Sequence, residues 1–292
     1  MDITGVYTAV ATPFTEADTV DVAALRVLVE HVIAGGGEGI VALGTMGDGL
    51  AVTVEERREI LAVTAETTAG RAGLVAGATA VTTRDAIAHS VLAGELGYDA
   101  VMIAPPPYVL PTAAELVDHY REIADSAGIP ILMYDYPDRV GVSIGFDVLD
   151  ELADVPQIIG VKEASGDMAR VIGMRRRYGD RYEIVCGADT LIVDFALWGC
   201  RGWIAGASGF LPDEHVEILA LASSGQFIEA KEKLAPLLAM IMEMESGGYS
   251  HKVRTGLAAA GLPCGATRAP LRPLSPADRN AFLRLVPTHD RT

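Results

Sequence analysis

The sequence predicts an α/β chain of the (β/α)8 barrel class with a helical extension, and three observations carry that expectation. Short apolar runs of strand character alternate with longer segments of helical periodicity along most of the chain. Eight such runs can be counted, with onsets roughly 20–35 residues apart, the size of a βα unit. The chain has 292 residues, more than the ~250 typical of a closed barrel, so a tail is left over. An open doubly wound sheet would place a glycine-rich turn after its first strand. Here Gly35-Gly36-Gly37-Glu38-Gly39 precedes a strand instead and reads as a helix stop.

In chain order, Gly5 to Pro13 reads as the first strand, closed by the proline. Asp21 caps a helix carrying Leu25, Leu28, Val29, Val32 and Ile33 on one face, and Gly35 stops it. Ile40 to Leu43 is a buried second strand, followed by the loop Gly44-Thr45-Met46-Gly47-Asp48-Gly49. Thr53 and Glu56 have capping-box spacing for the second helix. Leu74 to Gly77 is the third strand, Thr82 to Leu96 the third helix, and Ala100 to Ile103 the fourth strand, running into Pro105-Pro106-Pro107-Tyr108. Thr112 and Glu115 form a second capping box. Strands five to eight are Pro130 to Tyr134, Ile158 to Lys162, Glu183 to Gly187 and Trp203 to Ala205, with helices in the gaps. From Pro212 no strand pattern remains. Phe227, Ala230, Leu234, Leu237, Leu238, Ile241 and Met244 recur at helical spacing, and Pro236 is expected to kink that helix. The expected division is a catalytic barrel over 1–211 and helices packed on it over 212–292.

Composition narrows the function. Hydrophobic residues make up 50% of the chain and charged ones 21%, which excludes disorder. With 23 Lys and Arg against 39 Asp and Glu, the formal charge of −16 argues against nucleic acid as a partner. Cys186, Cys200 and Cys264 are too few and too separated for a disulfide framework or a zinc knuckle, and suit a reducing cytoplasm. The histidines lack HxxxH or HExxH spacing, so no metal is expected, and there is no P-loop or GxSxG elbow. No apolar run reaches the ~20 residues that span a bilayer, and Asp2, Glu16 and Asp18 around the first apolar run do not resemble a secretory leader.

Active sites of this fold class stand at strand C-terminal ends. Thr12, Thr45, Thr79, Tyr108, Tyr134 and Lys162 follow strands one to six in that order and are expected to face one mouth. Ile158-Ile159-Gly160-Val161 leads directly into Lys162. Desolvation at such a place disfavours the ammonium form, and a neutral amine attacks carbonyl carbons. A lysine snorkelling from a strand end to solvent is the other reading. Tyr134, one strand away, is the natural proton shuttle, or else a core aromatic with its hydroxyl at the rim. The loop from Gly44 to Gly49, three glycines in six residues, can turn backbone N–H groups toward a carboxylate or phosphate, or be an ordinary connection. Gly44, in this loop, and Gly187, which ends strand seven, are placed among the substrate-binding positions. Arg139 offers a bidentate grip on a second carboxylate, or a surface ion pair with Asp135 or Asp138.

Five stretches, in order, carry a family resemblance. They are Gly5-Val6-Tyr7-Thr8-Ala9-Val10-Ala11-Thr12-Pro13-Phe14, Gly44-Thr45-Met46-Gly47-Asp48, Tyr134-Asp135-Tyr136-Pro137, Gly160-Val161-Lys162-Glu163-Ala164, and Arg268-Ala269-Pro270-Leu271-Arg272-Pro273-Leu274. With them the chain resembles the dihydrodipicolinate synthase and N-acetylneuraminate lyase family over nearly its whole length. The resemblance implies a (β/α)8 barrel with C-terminal helices, usually a homotetramer. It implies that Lys162 forms a Schiff base with pyruvate or another 2-keto acid, that Tyr134 shuttles protons, and that Thr45 and Tyr108 complete a relay, the tyrosine typically donated across a dimer contact. Ile204 matches a pocket-lining position. No metal or organic cofactor is implied, since the protonated imine is itself the electron sink.

The departures bear on the substrate. The family loop commonly reads GTTGE; here Met46 removes a hydroxyl that would bind the keto acid's carboxylate, at a cost of about 1.5–3 kcal/mol if unreplaced. Asp135 stands where asparagine is usual, and Val54, Arg57 and Val81 stand where lysine-inhibited members tend to have histidine or asparagine. Arg139 matches the arginine that grips the aldehyde partner's carboxylate in the lysine-pathway synthases. Three readings follow. The first is a Schiff-base condensation of the 4-hydroxy-tetrahydrodipicolinate synthase type, favoured by Arg139. The second is a catabolic keto-deoxy acid aldolase or dehydratase, or a hydroxyproline-pathway deaminase, favoured by Met46 and Asp48. The third is a keto-acid-binding regulator without turnover, which would need no proton relay.

Overall fold

Eight short parallel strands close on themselves in chain order, with β8 returning to β1. They are β1 (Gly5–Ala9), β2 (Gly39–Ala42), β3 (Gly73–Gly77), β4 (Ala100–Ile103), β5 (Ile131–Asp135), β6 (Ile158–Glu163), β7 (Glu183–Cys186) and β8 (Gly202–Ala205). The computed structural model describes residues 2–265 and 267–287. Nearly every strand residue is buried, because the barrel interior covers one face and helices the other, so the strands read as continuous apolar runs.

The outer helices are α1 (Val22–Ala34), α2 (Val54–Thr68), α3 (Thr83–Glu95), α4 (Ala113–Ala127), the short α5 (Pro137–Val140) and α6 (Phe146–Glu151), α7 (Met168–Tyr178), α8 (Ile192–Leu197) and α9 (Pro212–Ser223). Then come α10 (Phe227–Glu245), α11 (Tyr249–Ala259) and α12 (Pro276–Leu283). The caps follow the sequence: Asp21 accepts from Ala24 N–H, and Thr53–Glu56 and Thr112–Glu115 are closed capping boxes. Pro212 opens α9, which packs on α8 and β1 as the helix following β8; the 211/212 boundary thus falls between β8 and its own helix. Pro236 lies within an uninterrupted α10.

C-terminal strand ends differ from expectation at five places, of which two are one residue short, β2 stopping at Ala42 rather than Leu43 and β7 at Cys186 rather than Gly187. β1 stops at Ala9 rather than Pro13; one further ladder-like bond, Val10 N–H to Val41 O at 3.1 Å, precedes the loop. β5 and β6 each run one residue further, because Asp135 and Glu163 are themselves in register. Among the described residues no helix is long and apolar enough to cross a membrane.

Candidate active site

Tyr134 and Lys162 are register partners on the neighbouring strands β5 and β6. Parallel register sends both side chains to the same face, and they meet inside the C-terminal mouth of the barrel. The Lys162 Nζ lies 4.3 Å from the centroid of the Tyr134 ring. The lysine is only 7% exposed, and among the described residues it has no ion pair. Burial pushes its pKa down to about 8, against a smaller opposing pull from Asp189. At pH 7 that leaves about a tenth of the amine neutral, against roughly three in ten thousand for an ordinary lysine. Gly187, at the end of β7, is what leaves space for this chain: a Cβ there would stand 2.7 Å from Lys162 Cε.

The phenol of Tyr134 is pushed well up by burial, while hydrogen bonding with Thr45 works in the opposite direction. Thr45, Met46, Tyr134, Arg139, Lys162 and Ile204 all border one cavity of about 180 Å³. Thr45, Tyr134 and Arg139 also border an adjoining, more apolar cavity of about 380 Å³, together with Gly44, Thr79 and Pro107. Gly187 lines the first cavity and Gly44 the second, so every predicted site residue except Tyr108 converges here. Met46 is buried and presents a thioether where the family has a hydroxyl.

Four expectations need correction. Tyr108 does not enter the mouth of its own chain: it is 93% exposed, with a left-handed φ of 75° on the loop after β4. Thr12 lines neither cavity and is spent on the loop, donating to Gly47 O at 2.7 Å, whereas Thr79 borders the second cavity as expected and accepts there from Ala104 N–H at 2.9 Å. In the Gly44–Gly49 loop two N–H groups, those of Asp48 and Gly49, are turned back onto the loop at Thr45 O and Gly44 O, and the N-terminus of α2 is closed by its capping box. Arg139 pairs with neither Asp135 nor Asp138; among the described residues it has no ion pair, and its guanidinium lies 5.7 Å from the Tyr136 ring centroid.

Two braces hold the loop instead. Arg57 donates to Gly77 O at 2.7 Å and Gly49 O at 2.6 Å. Arg254 of α11 pairs with Asp48 at 2.6 Å and donates to Thr12 O at 2.8 Å. Asp48 is therefore a partly buried anchor for the tail. Asp135 turns to the outside of the sheet, where Arg170 of α7 pairs with it at 3.0 Å and with Glu163 at 2.6 Å.

Three further groups in the cavity escaped the sequence reading: Asp189, Glu245 and Tyr249. Asp189, two residues beyond Gly187, is fully enclosed; its oxygens accept from Trp203 Nε1 at 2.8 Å and from the Tyr249 hydroxyl at 2.9 Å. The Tyr249 ring reaches it across Gly206, where a Cβ would stand 2.7 Å from the ring. Glu245, ending α10, has its carboxyl pushed up to about 7 by desolvation and then by Asp189. Asp189 was visible as a polar residue just past a barrel strand. Glu245 and Tyr249 lie on tail helices whose course the strand pattern does not reveal.

Comparison with known proteins gives the family of the chain. The family model described as the dihydrodipicolinate synthetase family matches residues 2–288. A 4-hydroxy-tetrahydrodipicolinate synthase from an Exiguobacterium species is 34% identical over 272 residues, 93% of each chain. The 4-hydroxy-tetrahydrodipicolinate synthase structure from Methylacidiphilum fumariolicum aligns with a TM-score of 0.92 at 31% identity, covering 97% of this chain and 96% of that one. A chloride-inhibited dihydrodipicolinate synthase from Acinetobacter baumannii, complexed with pyruvate, aligns with a TM-score of 0.94 at 29% identity over 97% of both chains. The chain belongs to the dihydrodipicolinate synthetase family and is an enzyme of its lysine-based lyase class.

Proposed function

We propose that the enzyme condenses pyruvate with an aldehyde through a Schiff base on Lys162, in the manner of a 4-hydroxy-tetrahydrodipicolinate synthase. The observation that carries this is the buried Lys162 amine in register with Tyr134, without an ion pair among the described residues and lowered to about 8. The neutral amine attacks C2 of pyruvate. The carbonyl oxygen leaves as water, taking one proton from the nitrogen and one delivered through Tyr134, and the nitrogen is left as a cationic imine. Loss of a C3 proton then gives an enamine, whose carbon attacks the aldehyde. Thr45 orients the Tyr134 hydroxyl, and Arg139, unpaired at the cavity rim, holds the aldehyde's carboxylate.

Tyr108 fits this scheme as a residue supplied to a second copy. It is exposed beside Val109 and Leu110, themselves exposed apolar residues, and the adjoining cavity opens between Leu50, Pro107 and Leu271. A dimer built on that face would bury them and complete the relay, with two dimers forming the homotetramer. The three buried, free cysteines suit a reducing, cytoplasmic setting. The second reading, cleavage or dehydration of a hydroxylated keto acid, is favoured by Met46 and by the carboxyls of Asp189 and Glu245 in the cavity.

Borohydride reduction in the presence of pyruvate, followed by intact-mass measurement, tests the Schiff base: an adduct is expected in the wild type and none in Lys162→Ala. Aspartate semialdehyde as second substrate tests the condensation. Turnover of a keto-deoxy acid with none of the semialdehyde would replace it by the second reading. Arg139→Ala is expected to raise KM for the semialdehyde at least tenfold, about 1.4 kcal/mol, with adduct formation unchanged; an unchanged KM removes the role given to Arg139.

A further inference from the structure

We propose that Asp189 is a positioning residue for the Lys162 nitrogen, a fixed counter-charge against which the cationic imine forms. The inference rests on the Schiff-base reading above and concerns what stabilises its intermediate. Asp189 and Lys162 border the same cavity, and Asp189 is only 3% exposed. Its two oxygens are held from two directions, by Trp203 Nε1 on β8 and by the Tyr249 hydroxyl on α11, and Gly206 N–H adds a third donor. Burial pushes the Asp189 carboxyl up, while these neutral donors and Lys162 favour its ionised form, and among the described residues no arginine or other lysine is paired with it. The cation it does act on is Lys162.

The surroundings single out Asp189. The groups that act most on Lys162 are Tyr134 of β5, Tyr136 beyond it, Cys186 of β7 and Asp189, and Asp189 is the carboxylate with the largest pull; Asp138 and Glu245 border the same cavity. Glu163, next along the strand, points to the opposite face and is bound by Arg170. Facing Asp189 are Lys162, Cys186, Tyr249 and Glu245, whose carboxyl accepts the backbone N–H of Asp189. Burial weakens the free ammonium, which helps attack, but it would equally weaken the cationic imine. A carboxylate held at one place lets the pocket keep the first effect and limit the second, since preorganised charge needs no rearrangement as the cation appears.

The test is the pH dependence of borohydride trapping with pyruvate, in wild type, Asp189→Asn and Tyr249→Phe. Removing an anion near a lysine lowers its pKa, so the midpoint of trapping in Asp189→Asn is expected about one unit below that of the wild type. At pH 9, where the amine is neutral in both, the pyruvate concentration for half-trapping is expected to rise about tenfold, the equivalent of that one unit. Tyr249→Phe, which loosens one oxygen, should shift both in the same direction by less. A purely structural role would reduce the amount of active enzyme without moving either quantity. Unchanged midpoint and half-trapping concentration in a folded Asp189→Asn overturn the proposal; should that variant fail to fold, unchanged values in Tyr249→Phe overturn it. Absence of an adduct in the wild type at any pH is a different result, and removes the Schiff-base reading itself.

Discussion

Lys162 and Glu163 are consecutive on β6, both deep in the protein, and opposite in every other respect. Lys162 faces the cavity beside the Tyr134 ring; Glu163 faces α7, where Arg170 and the Ser165 N–H bind it. One strand over, Tyr134 and Asp135 repeat the arrangement, Asp135 taking Arg170, the Ser143 hydroxyl and the Ile144 N–H. The inner pair is desolvated with only partial compensation, from Thr45 on Tyr134 and the smaller pull of Asp189 on Lys162, whereas the outer pair is bound directly by Arg170. Buried charge that is fully paired fixes geometry, here of the loops after β5 and β6, whereas buried charge left open changes reactivity.

The comparison breaks most completely at Lys162. Lys162→Ala is expected to lower turnover on the order of 10⁶-fold, as loss of a covalent nucleophile does elsewhere, while thermal stability stays level or rises, since no buried amine remains to be desolvated. A clear loss of stability would show that Lys162 is paired after all. On the outer face the effects reverse. Arg170→Ala strands two buried carboxylates and is expected to cost about 3–5 kcal/mol in denaturant unfolding; Arg170→Met, which keeps packing and removes charge, should cost nearly as much. Retention of wild-type stability would mean that solvent reaches Asp135 and Glu163.

Smaller effects sharpen the inner face. Tyr134→Phe should lower kcat about 10²–10⁴-fold, the range of a lost proton shuttle, yet still give the borohydride adduct on prolonged incubation. The pH profile follows from the sign of the shift. The amine must be neutral to attack, so the rate of adduct formation should climb tenfold per unit below about 8 and level off above it. A profile still rising at pH 10 would mean an unshifted lysine.

How much of this was legible in the sequence depended on parity and distance along the chain. The barrel was legible because doubly buried strands are apolar throughout and recur at a regular interval. The inward pair was legible because Tyr134 and Lys162 each end a strand, where this fold places its chemistry. The ion partner of Asp135 was not: nearness in sequence suggested Arg139, but alternation sends Asp135 outward to α7 while Arg139 remains at the mouth. Glu245 and Tyr249 were hidden for another reason. Their places depend on how the tail helices return over β7 and β8, and helical spacing states that a helix has an apolar face without stating what it covers. Tyr108 has no partner surface within its own chain, so neither its sequence nor its fold alone gives it a place.

Gly187 lies between the legible and the hidden. A glycine at the end of the seventh apolar run was visible, but it was placed only among the substrate-binding positions. The structure gives the reason for it: the missing Cβ is the space that the Lys162 methylenes occupy, with Lys162 Cγ 3.0 Å and Ala164 Cβ 2.9 Å from where it would stand. Three neighbouring atoms crowd one point, two of them on the Lys162 side chain and one on Ala164, just past the end of β6. Gly187→Ala should therefore displace the amine while leaving the outer ion network and the barrel intact. Misplacing a reacting group by about an ångström costs on the order of 10²-fold in rate, and a loss of that size is expected in adduct formation, with the pH midpoint unchanged because Asp189 and the apolar surroundings remain. A Gly187→Ala enzyme that forms the adduct at the wild-type rate would show that the lysine chain has room to spare and that its position is set elsewhere.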